Sequence, residues 1–209
     1  GSSVNKFKVG DEVYARPADH RIGTFAEYIS MNENDVAHKP KNISMEEAAS
    51  ISLVGLTAWQ ALVEIAKLKK GQKVFIQAGS GGVGTFAIQL AKHLGATVAT
   101  TTSASNIELV KSLGADIVID YKSEDFETKL KEFDVVLHSN RDKKILEKSL
   151  RILKSGGQLI SLTGPPTPEF AKQLGLAWHL KFITKILSSG AKKYAKKLNV
   201  NFTFLFMRA

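Results

Sequence analysis

The sequence predicts an α/β fold with a doubly wound parallel sheet, and three observations support this prediction. From residue 73 onward, strand patterns alternate with helical patterns, as they do in βαβ units. A glycine-rich turn at residues 79–84 joins the first of these strands to the helix that follows it. The chain has 209 residues, of which 44% are hydrophobic, so it can bury a sizeable core. We expect residues 46–209 to form this sheet domain and residues 1–45 to form part of a smaller β domain.

The composition excludes several kinds of chemistry. The chain has no cysteine, which rules out disulfides, a thiol nucleophile and a zinc site built on thiolates. Its five histidines are scattered and form no H-E-x-x-H motif. The formal net charge of +9 suits an anionic ligand such as a phosphorylated dinucleotide, but also nucleic acid or an anionic membrane. We see no signal peptide and no apolar run long enough to span a bilayer, and we expect a cytoplasmic location.

For the first 66 residues, the sequence predicts short strands followed by two helices. The strand patterns cover residues 8–15, 23–29 and 36–40, too few to bury a sheet alone. Ser44 and Glu47 fit a capping box, so a helix should begin there and end near Leu53. A second helix should begin at Gly55.

The rest of the chain predicts six strands with helices between them. We place the strands at residues 74–78, 96–101, 117–120, 134–138, 158–162 and 201–207. Helices are expected at residues 86–94, 106–113 and 123–130. Leu146, Leu150 and Leu153 mark a further helix that Gly156 and Gly157 should close, and residues 169–198 form a helical insert.

The glycine-rich turn has a physical interpretation. Gly79, Gly81 and Gly84 fit G-x-G-x-x-G, in which the glycines permit a tight turn, approach of a pyrophosphate to the backbone and close packing of helix on strand. The start of the helix also offers free N–H groups to an anion. The plainer alternative is a tight turn without a ligand.

The end of the second predicted strand favours NADP(H) over NAD(H). An NAD site usually has a carboxylate there to hold the ribose 2′-hydroxyl, but no acidic residue lies between Gly84 and Ile107. Hydroxyl and amide side chains at residues 100–106 can donate hydrogen bonds to a 2′-phosphate. Alternatively, these side chains only cap the helix that follows and bind no phosphate. No Lys or Arg lies in this turn, so we look to Lys122 for the cationic partner.

Five segments together resemble a known family: VGDEVYAR, GTFAEY, EEAASISLVGLTAWQAL, GSGGVG and SLGADIVIDY. In this order they are similar to the medium-chain dehydrogenase/reductase superfamily, in its zinc-independent quinone oxidoreductase and alkenal reductase branch. The resemblance implies a Rossmann domain beside a GroES-like β domain. It also implies NADP(H)-dependent hydride transfer, without zinc, to a small-molecule quinone or α,β-unsaturated carbonyl compound, and a homodimer in the complete protein.

The resemblance also implies where the cofactor binds. The pyrophosphate turn corresponds to Gly79, Ser80, Gly81, Gly82, Val83 and Gly84. The adenosine 2′-phosphate position corresponds to Ser103, Ser105 and Asn106, with Tyr121 on the adenosine side. Thr57 and Phe204 correspond to positions near the nicotinamide, although for Phe204 ordinary core packing is an equal alternative. Ser139, Leu162 and Thr163 lie at the ends of the fourth and fifth strands, which face the cofactor in this fold. We assign no catalytic side chain, because in hydride transfer the nicotinamide carries the reaction.

The ends of the chain and the helical insert depart from the family pattern. The family's N-terminal stretch and its C-terminal return to the β domain are absent, so the chain looks truncated at both ends. An inactive cofactor-binding fragment is therefore an alternative. The insert interleaves lysines with aromatic and aliphatic residues, which also suits a nucleic-acid or membrane-surface binder. We favour a helical pair with a solvated lysine face and expect neither partner.

Overall fold

The computed structural model describes residues 4–18 and 23–208. The chain divides into two compact units. The smaller unit contains residues 1–57 and 207–209, and the larger contains residues 58–206.

The smaller unit contains one short antiparallel sheet. Strand β1, Val13–Ala15, pairs with β2, Val36–His38, and a 3₁₀-helix, Glu33–Asp35, precedes β2. The strand predicted at residues 23–29 does not form, so that prediction is wrong. The physical reason is that β1 pairs directly with β2, while the side chains of Phe25 and Tyr28 remain exposed and pack into no core.

Helix α1, Met45–Trp59, continues without a break into a π-helical segment, Gln60–Ile65. The capping box is confirmed, since the amide of Glu47 donates to Ser44 Oγ and the amide of Ser44 donates to the Glu47 carboxylate. The predicted break before Gly55 is wrong, because a single buried glycine costs a helix only about 1 kcal/mol.

This 21-residue helical stretch is long and apolar enough to cross a membrane, contrary to our expectation from the sequence. Length and composition alone are weak evidence, because core helices of globular domains share both. Its C-terminal part behaves as a core helix: Ala58, Ala61 and Leu62 are fully buried in the larger unit.

The larger unit is built on a six-stranded parallel sheet. Its strands are β3 (Lys73–Ile76), β4 (Thr97–Thr102), β5 (Ile117–Asp120), β6 (Phe133–His138), β7 (Leu153–Ser161) and β8 (Asn201–Phe204). The order across the sheet is β5-β4-β3-β6-β7-β8, and every neighbouring pair is parallel. This is the Rossmann order, with its switch point between β3 and β6. The predicted fold class is confirmed.

Helices connect these strands, and the sheet separates two apolar cores. The helices are α2 (Gly82–His93), α3 (Ile107–Ser112), α4 (Phe126–Lys129), α5 (Lys143–Arg151), α6 (Pro168–Gln173) and α7 (Trp178–Lys197). Alternate side chains of β3 enter opposite cores: Val74 and Ile76 pack with α2, whereas Phe75 packs with α4 and α5. The carboxyl ends of the central strands are thereby held at one edge of the sheet.

The start of β7 and the end of β8 differ from their predicted positions. Leu153 begins β7 instead of ending α5, and Gly156 and Gly157 lie within this strand. The register with β6 shifts near Phe133, and Gly156 has a φ of +78°, so the glycines accommodate an irregular stretch of the strand. Strand β8 ends at Phe204, three residues earlier than predicted.

Candidate functional site

The turn between β3 and α2 is fastened to the neighbouring strand β4. The Ala78 amide donates to Thr101 Oγ1 (3.2 Å), and the Gly79 amide donates to the Thr101 carbonyl (2.9 Å). Ala78 adopts a φ of +52°, and its carbonyl accepts from the Gly81 amide at 2.9 Å. These bonds fix a sharp reversal of the backbone directly after β3.

Two glycines of the motif occupy positions where a side chain cannot fit. A Cβ on Gly84 would overlap the Ala78 carbonyl oxygen and lie 2.7 Å from the Cα of Gly79. A Cβ on Gly79 would overlap the hydroxyl of Thr100. At Gly81 the contact would be looser, 3.3 Å from the Ala78 carbonyl oxygen. The helix therefore packs against the turn as closely as the motif predicts.

The N-terminus of α2 presents free backbone donors. Gly81 is the N-cap and has no side chain to satisfy them, and the first bond of the helix runs from the Thr85 amide to the Gly81 carbonyl (2.9 Å). The amides of Gly82, Val83 and Gly84 precede that bond. Together with the positive end of the helix dipole, they form a site suited to a phosphate group.

A cleft of about 910 Å³ runs along the carboxyl ends of β3, β4, β5 and β6. Six of the predicted cofactor residues line it: Ser80, Gly81, Ser103, Asn106, Tyr121 and Ser139. They come from four separate segments of the chain, and the sheet topology brings them together. The volume and position fit a dinucleotide at the switch point of a Rossmann sheet.

The other predicted cofactor residues lie elsewhere. Gly79 belongs to the glycine-rich loop after β3, and residues 82–84 form the first turn of helix α2. Ser105 is exposed, and its Oγ lies 3.0 Å from the Oγ of Ser103. Leu162 packs against the core that contains α2, and Thr163 lines a different pocket. The ring of Phe204 meets that of Phe170 edge to face at 5.3 Å. Thr57, in the smaller unit, donates its hydroxyl to the Leu53 carbonyl (2.8 Å).

Ser80 links the glycine turn to the end of β4. Its Oγ accepts from Thr102 Oγ1 (2.9 Å) and from the side-chain amide of Asn106 (3.3 Å). That same amide also lies 3.3 Å from Ser103 Oγ. These contacts hold hydroxyl and amide groups, and no carboxylate, at the end of β4.

Gln77 is a site residue that the sequence analysis missed. It is buried, with 7% of its surface exposed, and it lines the cleft at the end of β3. Its Oε1 accepts from the Ser139 amide (3.2 Å), and its Nε2 donates to Ser149 Oγ (2.9 Å). Gln77 therefore positions the loop after β6. The sequence signal for Gln77 is its position, since it is a polar residue directly after the apolar run Val74–Phe75–Ile76.

Four charged side chains, Lys122, Glu124, Asp125 and Lys148, line one wall of the cleft, and most of them are paired. Lys148 pairs with Asp125 and lowers the pKa of that carboxyl, and Glu124 pairs with Lys129 at 2.9 Å. Within residues 4–18 and 23–208, the Lys122 ammonium forms no ion pair. It is the uncommitted cation on this wall.

The loop after β6 is built around a buried histidine. His138 is 1% exposed, and burial lowers its pKa to about 4. The side chain of Asp142 caps α5 by accepting from the Lys144 amide (2.8 Å), and Asn140 Oδ1 accepts from the Asp142 amide (2.8 Å). The N-terminus of α5 is thus satisfied by the chain itself.

Comparison with known proteins identifies the family. The family model described as zinc-binding dehydrogenase matches residues 82–190. Among the described residues, no group of three or more His, Cys, Asp or Glu side chains is placed to hold a metal ion.

Relatives of this chain include two plant reductases and a bacterial enzyme of known structure. It is 44% identical over 176 residues to 2-methylene-furan-3-one reductase of Solanum lycopersicum, covering 80% of this chain and 44% of that protein. It is 40% identical to the chloroplastic NADPH-dependent alkenal/one oxidoreductase of Arabidopsis thaliana, covering 80% and 45%. The quinone oxidoreductase of Coxiella burnetii superposes with a TM-score of 0.81 at 32% identity, covering 100% of this chain and 59% of that one.

The chain thus spans a little under half the length of these two plant relatives. The predicted resemblance is confirmed: the chain belongs to the zinc-binding dehydrogenase family, in the quinone oxidoreductase and alkenal/one oxidoreductase branch of the medium-chain dehydrogenase/reductase superfamily.

Proposed function

We propose that the whole protein is an NADPH-dependent reductase that transfers hydride to a quinone or to an α,β-unsaturated carbonyl compound. The observation that carries the choice of NADPH is the end of β4, where Ser103 and Asn106 line the cleft and no carboxylate is present among residues 85–106. A carboxylate at this position would repel a 2′-phosphate, whereas hydroxyl and amide groups can donate hydrogen bonds to it.

The geometry suits a dinucleotide along the cleft. The amides at the start of α2 would hold the pyrophosphate, because they are free and lie at the positive end of the helix. Ser103, Asn106 and Tyr121 would hold the adenosine ribose and its phosphate. Lys122 lines the same wall and would supply the positive charge that the β4 turn lacks.

The residues of this chain contribute binding and orientation. When bound, the nicotinamide supplies the hydride. Ser139, held through its amide by Gln77, lies at the end of β6, where the cleft continues beyond the glycine turn. We assign the proton donor to no residue of this chain.

The names of the relatives support the substrate class. The tomato protein is named for a methylene-furanone, in which a C=C bond is conjugated to a carbonyl group, and the Arabidopsis protein for alkenals and alkenones. For the whole protein we further propose a homodimer in the cytoplasm without zinc, which sedimentation, fractionation and metal analysis would test.

The reaction is tested on the whole protein with 3-penten-2-one and 1,4-benzoquinone as separate substrates and NADPH deuterated at the transferring position. For the enone we expect the saturated ketone, with deuterium at the β-carbon and a solvent proton at the α-carbon. For the quinone we expect the hydroquinone. No turnover of either substrate, or deuterium at the carbonyl carbon of an alcohol product, would contradict the proposal.

A further inference from the structure

The side chain of Gln77 joins three parts of the structure at the switch point of the sheet. Gln77 directly follows β3, its partner Ser139 directly follows β6, and its other partner, Ser149, lies in α5. Both hydrogen bonds span more than 60 residues of the chain. Gln77 therefore ties the backbone after β6 to a helix of the core.

The partners of Gln77 determine which way its side-chain amide group points. The fully buried Ser149 donates its hydroxyl to the Ile145 carbonyl (2.7 Å), so its oxygen is left to accept a bond. The Ser139 amide can only donate, so the carbonyl oxygen of Gln77 must face Ser139 and its NH₂ group must face Ser149. Because both polar groups of Gln77 are used inside the fold, it acts through Ser139 and not by touching a nucleotide.

The loop after β6 is also fastened on its other side, to β7. The Asn140 carbonyl accepts from Thr163 Oγ1 (2.9 Å), and the His138 carbonyl accepts from the Leu162 amide (2.8 Å). The Ser139 hydroxyl, in contrast, lies 3.4 Å from the Gln77 carbonyl, at the limit of a hydrogen bond. The backbone of the loop is thus held from two sides, while the Ser139 hydroxyl stays available to a ligand in the cleft.

The order of the strands indicates which half of a dinucleotide would reach this loop. Strands β4 and β6 lie on opposite sides of β3. Ser103 and Asn106, assigned to the 2′-phosphate, follow β4, and the glycine turn follows β3. A dinucleotide that runs from the end of β4 across the turn therefore reaches Ser139 with its nicotinamide half.

We infer that Gln77 is a positioning residue for the nicotinamide half of the cofactor. It holds the Ser139 amide so that the Ser139 hydroxyl can hydrogen-bond to the nicotinamide nucleoside. Without the Gln77 oxygen, the Ser139 amide loses its partner, and the loop must move to supply another. This role rests on the proposed function, and it adds a residue that controls contact with one half of NADPH without touching it.

The test is a calorimetric titration of the chain with NADPH and with 2′,5′-ADP, which carries the 2′-phosphate but no nicotinamide nucleoside. Gln77→Met keeps the length of the side chain and removes both polar groups. Gln89→Met makes the same exchange on the exposed face of α2 and serves as the control. Ser149→Ala removes only the anchor of Gln77 and carries the same test should Gln77→Met fail to fold. Asn106→Ala probes the adenosine half.

We expect the unaltered chain to bind NADPH more tightly than 2′,5′-ADP. Gln77→Met should weaken NADPH binding about tenfold and Ser149→Ala about threefold, and neither should change the affinity for 2′,5′-ADP. Asn106→Ala should weaken both ligands alike, and Gln89→Met neither.

Two results would contradict this inference, and they differ in what else they contradict. Equal effects on the two ligands in Gln77→Met or Ser149→Ala, or no effect of either variant, would overturn the positioning role alone, provided that the unaltered chain binds NADPH. Failure of the unaltered chain to bind either ligand would overturn the proposed nucleotide site and this role with it.

Discussion

Two neighbouring strands, β3 and β6, lead into helices at the same edge of the sheet, but their connections are built in opposite ways. After β3, glycines bring the backbone of the turn against α2, and no side chain caps the helix. After β6, the Asp142 carboxylate caps α5, and a buried histidine lies at the base of the loop. One helix start is therefore open to an external anion, and the other is already satisfied by the chain.

The difference shows how a repeated βα unit acquires different roles. A helix N-terminus attracts anions wherever it occurs, but an acidic cap occupies the donors and repels a phosphate. Where neither an acidic cap nor a nearby side chain occupies the helix start, as at α2, the backbone N–H donors stay free and a phosphate group has room to approach them.

The largest effect is expected from Gly84→Val. A Cβ at this position overlaps the Ala78 carbonyl, so the turn must move away from α2. We expect NADPH affinity to fall by about 1,000-fold or more, measured by nucleotide fluorescence. Gly190→Ala is the matched control, because its added methyl group meets open space. NADPH affinity unchanged in a folded Gly84→Val variant would refute the role of the turn.

The second prediction concerns His138 at the base of the β6–α5 connection. Its pKa is about 4 in the folded chain and about 6.5 when unfolded, so below pH 6.5 the unfolded state binds a proton that the folded state does not. Stability should fall by about 3 kcal/mol as the pH decreases from 6.5 to 4.

Urea unfolding across this pH range measures that loss. His138→Asn should remove most of the pH dependence above pH 5, where carboxylates contribute little, even if its stability is lower throughout. An equal slope in the two proteins would show that His138 is not the titrating group.

The third prediction concerns the cationic side of the cleft. Lys122→Gln should weaken NADPH binding by about tenfold and leave NADH binding nearly unchanged, because only NADPH carries the 2′-phosphate. Lys111→Gln, on the exposed face of α3, serves as the control for loss of a positive charge. Equal weakening of both nucleotides would indicate a general charge effect.

The smallest effect is expected at the capped helix. Asp142→Ala removes the N-cap of α5 and should lower the free energy of unfolding by about 1 kcal/mol. NADPH affinity should not change, because this helix start does not take part in nucleotide binding. A marked loss of NADPH affinity would mean that the two connections are not as distinct as the comparison implies.

The sequence predicted the parts of the fold that depend on strong local patterns. The glycines, the amphipathic face of α2 and the capping box at Ser44 each depend on a few neighbouring residues. Gly95, directly after the predicted helix at residues 86–94, adopts the left-handed conformation that is typical of a glycine ending a helix, with a φ of +80°.

The failures concern features that tertiary contacts determine. Leu153 fits the spacing of α5, but its pairing with Phe133 places it in β7. Gly55 looks like a helix boundary, yet it is buried within a continuous helix.

In the candidate site, too, residues that belong to local patterns could be predicted, whereas those that depend on long-range contacts could not. Ser80, Ser103 and Asn106, which line the cleft, could be predicted because Ser80 belongs to the glycine-rich turn and the other two follow the second predicted strand. Gln77 was missed because its partners, Ser139 and Ser149, lie more than 60 residues away. The absence of nucleic-acid and membrane partners, the dimer and the cytoplasmic location remain predictions.

The most direct test of the central claim is a calorimetric titration of this chain with NADPH and with NADH. The open glycine turn and the carboxylate-free end of β4 together predict binding of both, with NADPH tighter by at least about tenfold. Equal or tighter binding of NADH would contradict the assignment of Ser103, Asn106 and Lys122 to the 2′-phosphate. Binding of neither nucleotide would contradict the assignment of the turn itself.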